Sequence, residues 1–368
     1  MANNITNIKD AAGVIAKGMA QTLKDNLVFV SNVDKADPSD FDGKNGYKSG
    51  DTIYTNIPAR YIPQQDNLDI SSLGADSVES RRPLTLDKTE TVRMDFDSLE
   101  LATDVDIANV LKRYAIPAAE SIAQNVESRC LSIAKNATAN SVGTMTSNSF
   151  TVADILAART KLDQNLCPNG SRKLLLNSAS MAEAVDARKG LFQSATQIGK
   201  QYEAGMVGRA DGFDWYQSEL LPTHTNGADV AGAINDASVS EGTSTLTVDG
   251  FTAALAVGST ITIEDVYEVH PITKDVTDRL KQFVVTAATT TELTISPAIY
   301  ASATDGRRNV DALPADDAAV TAVGGADDSA IQNFAWHPSS FKFVSVPMVQ
   351  PDGVDLVASQ TVDGFTVN

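Results

Sequence analysis

After Leu221 and Pro222 the chain changes character, and that change limits what it can fold into more than any other feature. From Asn226 to about Ser329 it is dense in Thr, Ser, Val, Ala, Gly and Asp. Short β-like runs at Ser244–Val248, Thr260–Ile263, Phe283–Ala287 and Leu293–Ser296 are separated by turn residues. This pattern predicts a small all-β domain, and the sequence on either side of it is mixed, so the β module is expected to be inserted into the second half of a larger body. A chain of 368 residues, 42% of them hydrophobic, can bury a core for each. The segment Ala319–Ala330, with Gly324, Gly325, Asp327 and Asp328, reads as the linker leaving the insert, its charges hydrated together with Asp316 and Asp317. Strand-like sequence resumes at Phe341–Val346 and continues through Val354, Leu356, Phe365 and Val367.

The body before the insert alternates helical and extended signals. Ile5, Ile8, Ala12, Ile15, Met19 and Leu23 recur three or four apart, which predicts an amphipathic helix over residues 5–23 whose apolar stripe docks either within its own subunit or elsewhere. An irregular connection, Ser31–Gly50, follows. Two β-like segments, Asp51–Ile62 and Pro83–Leu99, flank a polar interval containing Gln64, Gln65, Asp66, Arg81 and Arg82. In the second, Val92, Met94 and Phe96 alternate with Arg93, Asp95 and Asp97. This reads as a long hairpin with a wide polar tip or, equally by pattern, as the edge of an ordinary sheet. A short helix is expected from Thr103 or Asp104. Pro117 marks the first turn of a long one reaching about Ala139, with Ala119, Ile122, Ala123, Val126, Cys130, Ile133, Ala134 and Ala137 on its apolar face and Glu120, Gln124, Glu127, Ser128, Arg129 and Lys135 on its polar face. Thr151 with Asp154 predicts a capped helix ending at Leu166 before Pro168. Lys173–Leu176 reads as a buried strand, and Ser180–Ala187 as a short helix.

The chemistry signals are sparse. The net charge of −18 and pI near 4.5 oppose phosphate-neutralising contacts with duplex DNA, and favour a basic protein partner. Cys130 and Cys167 lack a CxxC spacing and read as small buried apolar residues of a reducing compartment. No signal peptide is expected, because Lys9, Asp10 and Lys17 interrupt any apolar run, and nothing approaches the roughly 20 apolar residues of a membrane helix. His224, His270 and His337 stand apart without a second ligand at helical spacing, so no metal is expected and each reads as a loop or surface histidine. Asp37, Asp40 and Asp42 beside Gly43 miss the EF-hand register. Neither a phosphate-binding glycine loop nor a GxSxG elbow occurs, which disfavours an enzyme and implies no catalytic residue and no cofactor.

The order of elements, with several local stretches, resembles the coat proteins of phage P22 and its relatives. Gly50-Asp-Thr-Ile-Tyr54 leading to Pro58 looks like the first strand of that family's extended loop, and Leu84–Leu101 like the returning strand. Gly208–Pro222 is similar to the approach to the family's insertion domain, Val257–Ile263 and Thr273–Val285 to its interior, and Asn333–Trp336 with Phe341–Pro347 to the return. The resemblance implies an α+β, HK97-like capsid fold with an extended β-hairpin loop, a long backbone helix and an inserted small β-barrel-like domain. Its parts would be an N-terminal arm (1–50), the hairpin loop (51–102), the α/β body (103–225), the insert (226–329) and return strands (330–368). The chain stops at Asn368 inside a strand-like run where family members generally continue, so either this member is short or its tail is missing, and the pairing of the final sheet stays open.

By the same resemblance the chain would be a major capsid protein of an icosahedral phage shell, assembled in the host cytoplasm. Its partners would be itself in hexamers and pentamers, a scaffolding protein, a portal protein and packaged double-stranded DNA as non-specific contents, with no membrane. The expected inter-subunit contacts are Ile5, Ile8, Ile15 and Met19 on the helix, and Arg60, Arg81 and Arg82 on the hairpin as donors to neighbouring carboxylates. An encapsulin-like compartment shell would share the fold and enclose protein cargo. A β-rich surface binding protein would call for secretion and repeated β units.

Overall fold

The computed structural model describes residues 16–23, 26–35, 52–57, 80–92, 114–145, 150–188, 208–346, 360–362 and 365–367. Ile5, Ile8, Ile15, Arg60, the Asp37–Asp42 cluster, the helix expected after Thr103, and Met94 to Leu99 lie outside them. In chain order the strands begin with β1 (Asp34–Lys35), β2 (Thr52–Ile57) and β3 (Ser80–Thr85), followed by the long helix α1 (Ile116–Ala137). Then come α2 (Val152–Gln164), β4 (Lys173–Leu176), α3 (Ser178–Arg188), β5 (Arg209–Ala210), β6 (Phe213–Gln217) and β7 (Thr223–Thr225). The strands β8 (Ala231–Ile234), β9 (Thr245–Asp249), β10 (Thr260–Val269), β11 (Val276–Ala288), β12 (Glu292–Ser296) and β13 (Ala319–Ala322) form the insert. The chain finishes through β14 (Ser329–Ile331), β15 (Phe334–Trp336), β16 (Lys342–Phe343), β17 (Gln360–Val362) and β18 (Phe365–Val367). Two compact units result, one of Met1–Asn56, Arg81–Cys130 and Pro338–Asn368, the other of Ile57–Ser80 and Leu131–His337.

In the second unit the insert is a closed barrel in the order β10-β11-β12-β9-β8-β13, whose last strand pairs back onto the first. Closure leaves no free edge for another chain to extend. Alternation drives it: Leu246 and Val248 on β9, and Leu293 and Ile295 on β12, point into a core that also holds Ile261, Ile263, Phe283, Val285 and Val320. The four runs legible in the sequence are all barrel strands. The Ala319–Ala330 linker is not one: Ala319–Ala322 is β13, and β14 pairs antiparallel with β7 to make a two-stranded stalk. β8 and β13 read AGAI and AVTA, too small and too weak in β propensity to announce themselves, and they are strands because β9 and β10 pair with them.

The rest of this unit is a four-stranded sheet in the order β15-β4-β6-β5, with β4 parallel to β6 and antiparallel to β15. Leu174, Leu176, Phe213 and Trp215 face Ile155 of α2 and Met181 and Ala184 of α3. Thr151 and Asp154 form the expected reciprocal capping box at the start of α2. In the first unit, β1 lies parallel to β16, and Phe29 meets Phe341 edge-on with ring centroids 5.5 Å apart. The returning hairpin strand is Ser80–Thr85, so Arg81, Arg82 and Pro83 lie in the strand and residues 86–92 do not. Pro83 can sit there because a two-stranded ribbon has free edges, where a missing N–H costs no ladder bond.

A Cβ added at Gly232 on β8 would stand 2.3 Å from the Phe251 ring and 2.7 Å from the Asp249 carbonyl oxygen. Backbone cannot yield there as a flexible side-chain tip can. Gly232→Ala is therefore expected to destabilise the barrel by about 1–3 kcal/mol, read as a lower thermal midpoint by circular dichroism.

Candidate assembly elements

Glu127 organises the first unit. Periodicity placed it on the polar face of α1, yet it is 1% exposed, while Ile133, placed on the apolar face, is 52% exposed. The buried stripe runs instead through Ala119, Ala123, Glu127 and Leu131 at a strict spacing of four, flanked by Ala118 and Ala134. Small alanines let another segment approach closely, and the glutamate then reaches its backbone. Oε1 accepts from the N–H groups of Val28, at 3.2 Å, and of Phe29, while Oε2 accepts from Val30 at 3.2 Å. They lie at the start of the 3₁₀ turn Val30–Asn32, whose N-cap Phe29 makes no side-chain capping hydrogen bond. A carboxylate from a residue almost a hundred positions away thus serves as the cap. Burial pushes the Glu127 carboxyl pKa up, and the three backbone donors oppose that without cancelling it. The same burial, with the Glu127 charge beside it, raises the Cys130 thiol to about 11, so it is an inert, half-buried thiol.

The segments around this anchor come from both ends of the chain. Residues 16–23 are helical, with Ala16, Ala20 and Leu23 buried within the subunit, followed by Leu27; Met19 is half-buried beside them. The Lys35 ammonium sits 4.5 Å over the buried Phe365 ring, which also packs against Phe343. Arg129, on the solvent side of α1, pairs with Glu90 and so ties down the extended stretch after β3.

The hairpin has the opposite character. Thr52 and Thr85 share a hydroxyl hydrogen bond of 2.9 Å across it, but no described side chain of β2 or β3 is buried, and Tyr54 is 63% exposed. Arg81 and Arg82 are exposed and have no ion-pair partner among the described residues.

In the second unit polar groups seat the barrel. His224, expected at the surface, is buried on β7; Nε2 meets Ser259 Oγ at 3.1 Å and Nδ1 meets Lys135 Nζ at 3.3 Å. An ammonium can only donate, so Nδ1 accepts and the imidazole is neutral with its proton on Nε2. Burial, reinforced by the Lys135 charge, holds its pKa below the ordinary 6.5. The Gln282 side chain pairs with both backbone groups of Ser141, at 3.1 and 3.2 Å. Neither His224 nor Glu127 carried a signal in the sequence, because a single polar residue within a helical or strand pattern is indistinguishable from a solvent-facing one until its neighbours are known.

Among the described residues no three His, Cys, Asp or Glu side chains gather to hold a metal, and no helix is long and apolar enough to cross a membrane. An arm anchored by Glu127, a ribbon with no buried described side chain and a closed barrel are the elements of a structural subunit. Over residues 1–367 the sequence matches the family described as P22 coat protein, gene protein 5, and the chain belongs to that family. It is accordingly a phage major capsid protein, which assembles with copies of itself into the shell of the virion; the family is one of structural proteins and not of enzymes, and nothing points to an encapsulin. Among solved structures, the CUS-3 coat protein I-domain is 31% identical, covering 25% of this chain and 94% of that one with a TM-score of 0.21. A chain from Mycobacterium phage Che8 is 12% identical, covering 83% and 90%, with a TM-score of 0.39. One from the capsid of cyanophage P-SCSP1u is 12% identical, covering 78% and 84%, with a TM-score of 0.33. No curated protein matches the sequence.

Glu127→Ala strips the cap from three N–H groups, two of them on buried residues. It is expected to cost about 3 kcal/mol or more, with Glu127→Gln, which keeps one acceptor oxygen, costing less; denaturant titration of the unassembled protein checks both. For His224, the unfolded chain takes up a proton that the folded site resists. Stability is therefore retained above about pH 6.5 and falls as the pH drops below it. Denaturation midpoints measured between about pH 7.5 and about 5.5 should show this slope, and His224→Gln should flatten it.

Proposed function

We propose that the chain adopts an HK97-type capsid fold and builds, as hexamers and pentamers, an icosahedral shell around phage double-stranded DNA, in the host cytoplasm and with the help of scaffolding and portal proteins. The family match over residues 1–367 supports the shell, and the ribbon with no buried described side chain supports the mode of contact. Two strands alone are marginally stable in water. A neighbouring subunit supplies the face that β2 and β3 lack, with Tyr54 as the apolar contact and Arg81 and Arg82, joined by Arg60, donating to its carboxylates. Such exposed pairs contribute about 0–1 kcal/mol each, which suits contacts that must form, break and re-form while a closed surface grows.

In this reading residues 1–50 are an arm whose Ile5, Ile8 and Ile15 extend the stripe of Met19 onto an adjacent subunit or rearrange as the shell matures. Residues 51–102 are the reaching loop, 103–225 and 330–368 the body, and 226–329 the inserted barrel. A net charge of −18 attracts a basic scaffolding protein and keeps DNA as bulk contents without site-specific contacts.

Expression with and without the scaffolding partner, followed by negative-stain microscopy and sedimentation, should give closed, uniform shells with the partner present. Persistent monomers or small oligomers under both conditions would overturn the proposal. Arg81→Glu combined with Arg82→Glu is expected to lower shell yield sharply while the unassembled protein melts unchanged.

A further inference from the structure

At the seam between α2 and the barrel, one buried carboxylate faces three cations. Glu268, on β10, is 4% exposed. Its Oε1 lies 3.4 Å from Lys281 Nζ, and its Oε2 lies 3.5 Å from Arg279 Nε and 3.8 Å from Lys161 Nζ. Arg279 and Lys281 are two apart on β11 and so share a face; Lys161 comes from the last turn of α2. No other carboxylate among the described residues pairs with any of the three. Three positive charges against one negative leave a surplus of two, on a chain whose net charge is −18.

The surplus is not dissipated into water. The Lys161 and Lys281 side chains are only 15% and 13% exposed, while Arg279, at 37%, keeps the cluster open at its mouth. Burial pushes the Lys161 pKa down, Glu268 raises it, and Lys281 and Arg279 lower it further, which places the three cations within mutual repulsion. Glu268 Oε2 and Arg279 Nε are both shut off from solvent without a hydrogen-bond partner, close enough to attract but not aligned to bond. The charge surplus and the unbonded Arg279 donor favour an anion, whereas Glu268 Oε2, an acceptor, does not. A compact oxyanion at the mouth, held by the Arg279 guanidinium and a lysine ammonium, completes the cluster.

We propose that this seam is an oxyanion site, filled either by a free phosphate-class ion or by a carboxylate of a second copy of this chain. The site belongs to the folded subunit and does not depend on the hairpin contact proposed above.

Thermal melts of the unassembled protein in inorganic phosphate, against chloride at equal ionic strength, test the free ion. The midpoint should rise with phosphate, with apparent affinity falling about tenfold or more when Lys161→Met or Arg279→Met removes one cation. Glu268→Gln removes the competing anion and should tighten phosphate binding; if that variant does not fold, Arg279→Met, at the most exposed of the three cations, carries the test. Assembled shells treated with a carbodiimide, which joins an amine to a carboxylate in contact with it, test the second copy. A link from Lys161 or Lys281 to an Asp or Glu other than Glu268, present in shells and missing from the unassembled protein, assigns the anion to a neighbour. A phosphate effect without that link assigns it to the free ion. Absence of both the phosphate effect and the link would overturn the site and leave Glu268 as a strut between helix and barrel.

Discussion

A single carboxylate holding three backbone N–H groups is the constraint on which the first unit depends. Glu127 sits where a helix meets a segment with no regular structure long enough to satisfy its own donors. Phe29 and Val30 are buried and Val28 half-buried, so without the glutamate at least two of these N–H groups would be buried and unpaired. The segment's position in turn fixes Phe29 against Phe341 and carries β1 alongside β16. Ionic capping does what a hydrophobic patch could not do here: it specifies which three peptides dock, and in what order, so the register of the arm follows from hydrogen-bond geometry.

The second unit is governed by a division of labour. The barrel buries its own core, closed on itself, and meets the rest of the unit through polar groups: an imidazole between a serine and a lysine, a glutamine paired with a backbone amide, and a carboxylate among cations. Apolar contacts would hold such a seam without preferring one orientation. Hydrogen bonds with fixed donors and acceptors prefer one, at little net gain in stability. The barrel's placement is thus set by the positions of donors and acceptors more than by buried apolar area.

Much of this was legible in the residues. Pro117 opens α1, Thr151 and Asp154 cap α2, Lys173–Leu176 is a buried strand, and four alternating runs became barrel strands because in each case local chemistry and tertiary role agree. What could not be read was decided by partners distant in sequence. Glu127 looks solvent-facing until the N–H groups of Val28 to Val30 arrive. The AGAI and AVTA segments look like loop until β9 and β10 pair with them. His224 looks like a surface residue until Ser259 and Lys135 close around it. The returning hairpin strand begins at Ser80, ahead of the expected Pro83, because Ser80–Thr85 has no apolar face to advertise it.

The parallel pairing of β1 with β16, sealed by Lys35 over Phe365, has a consequence for how the subunit comes into being. Synthesis is vectorial, and the arm emerges first. Its docking surface comes from Phe341, β16 and Phe365, far downstream in the chain, so during synthesis Phe29 and β1 wait without their cover until that segment has emerged. A chain cut short before Phe365 leaves that ring's contacts with Lys35 and Phe343 unmade, and part of the first unit's core open. The core of the first unit therefore closes only once the segment carrying Phe365 has been made.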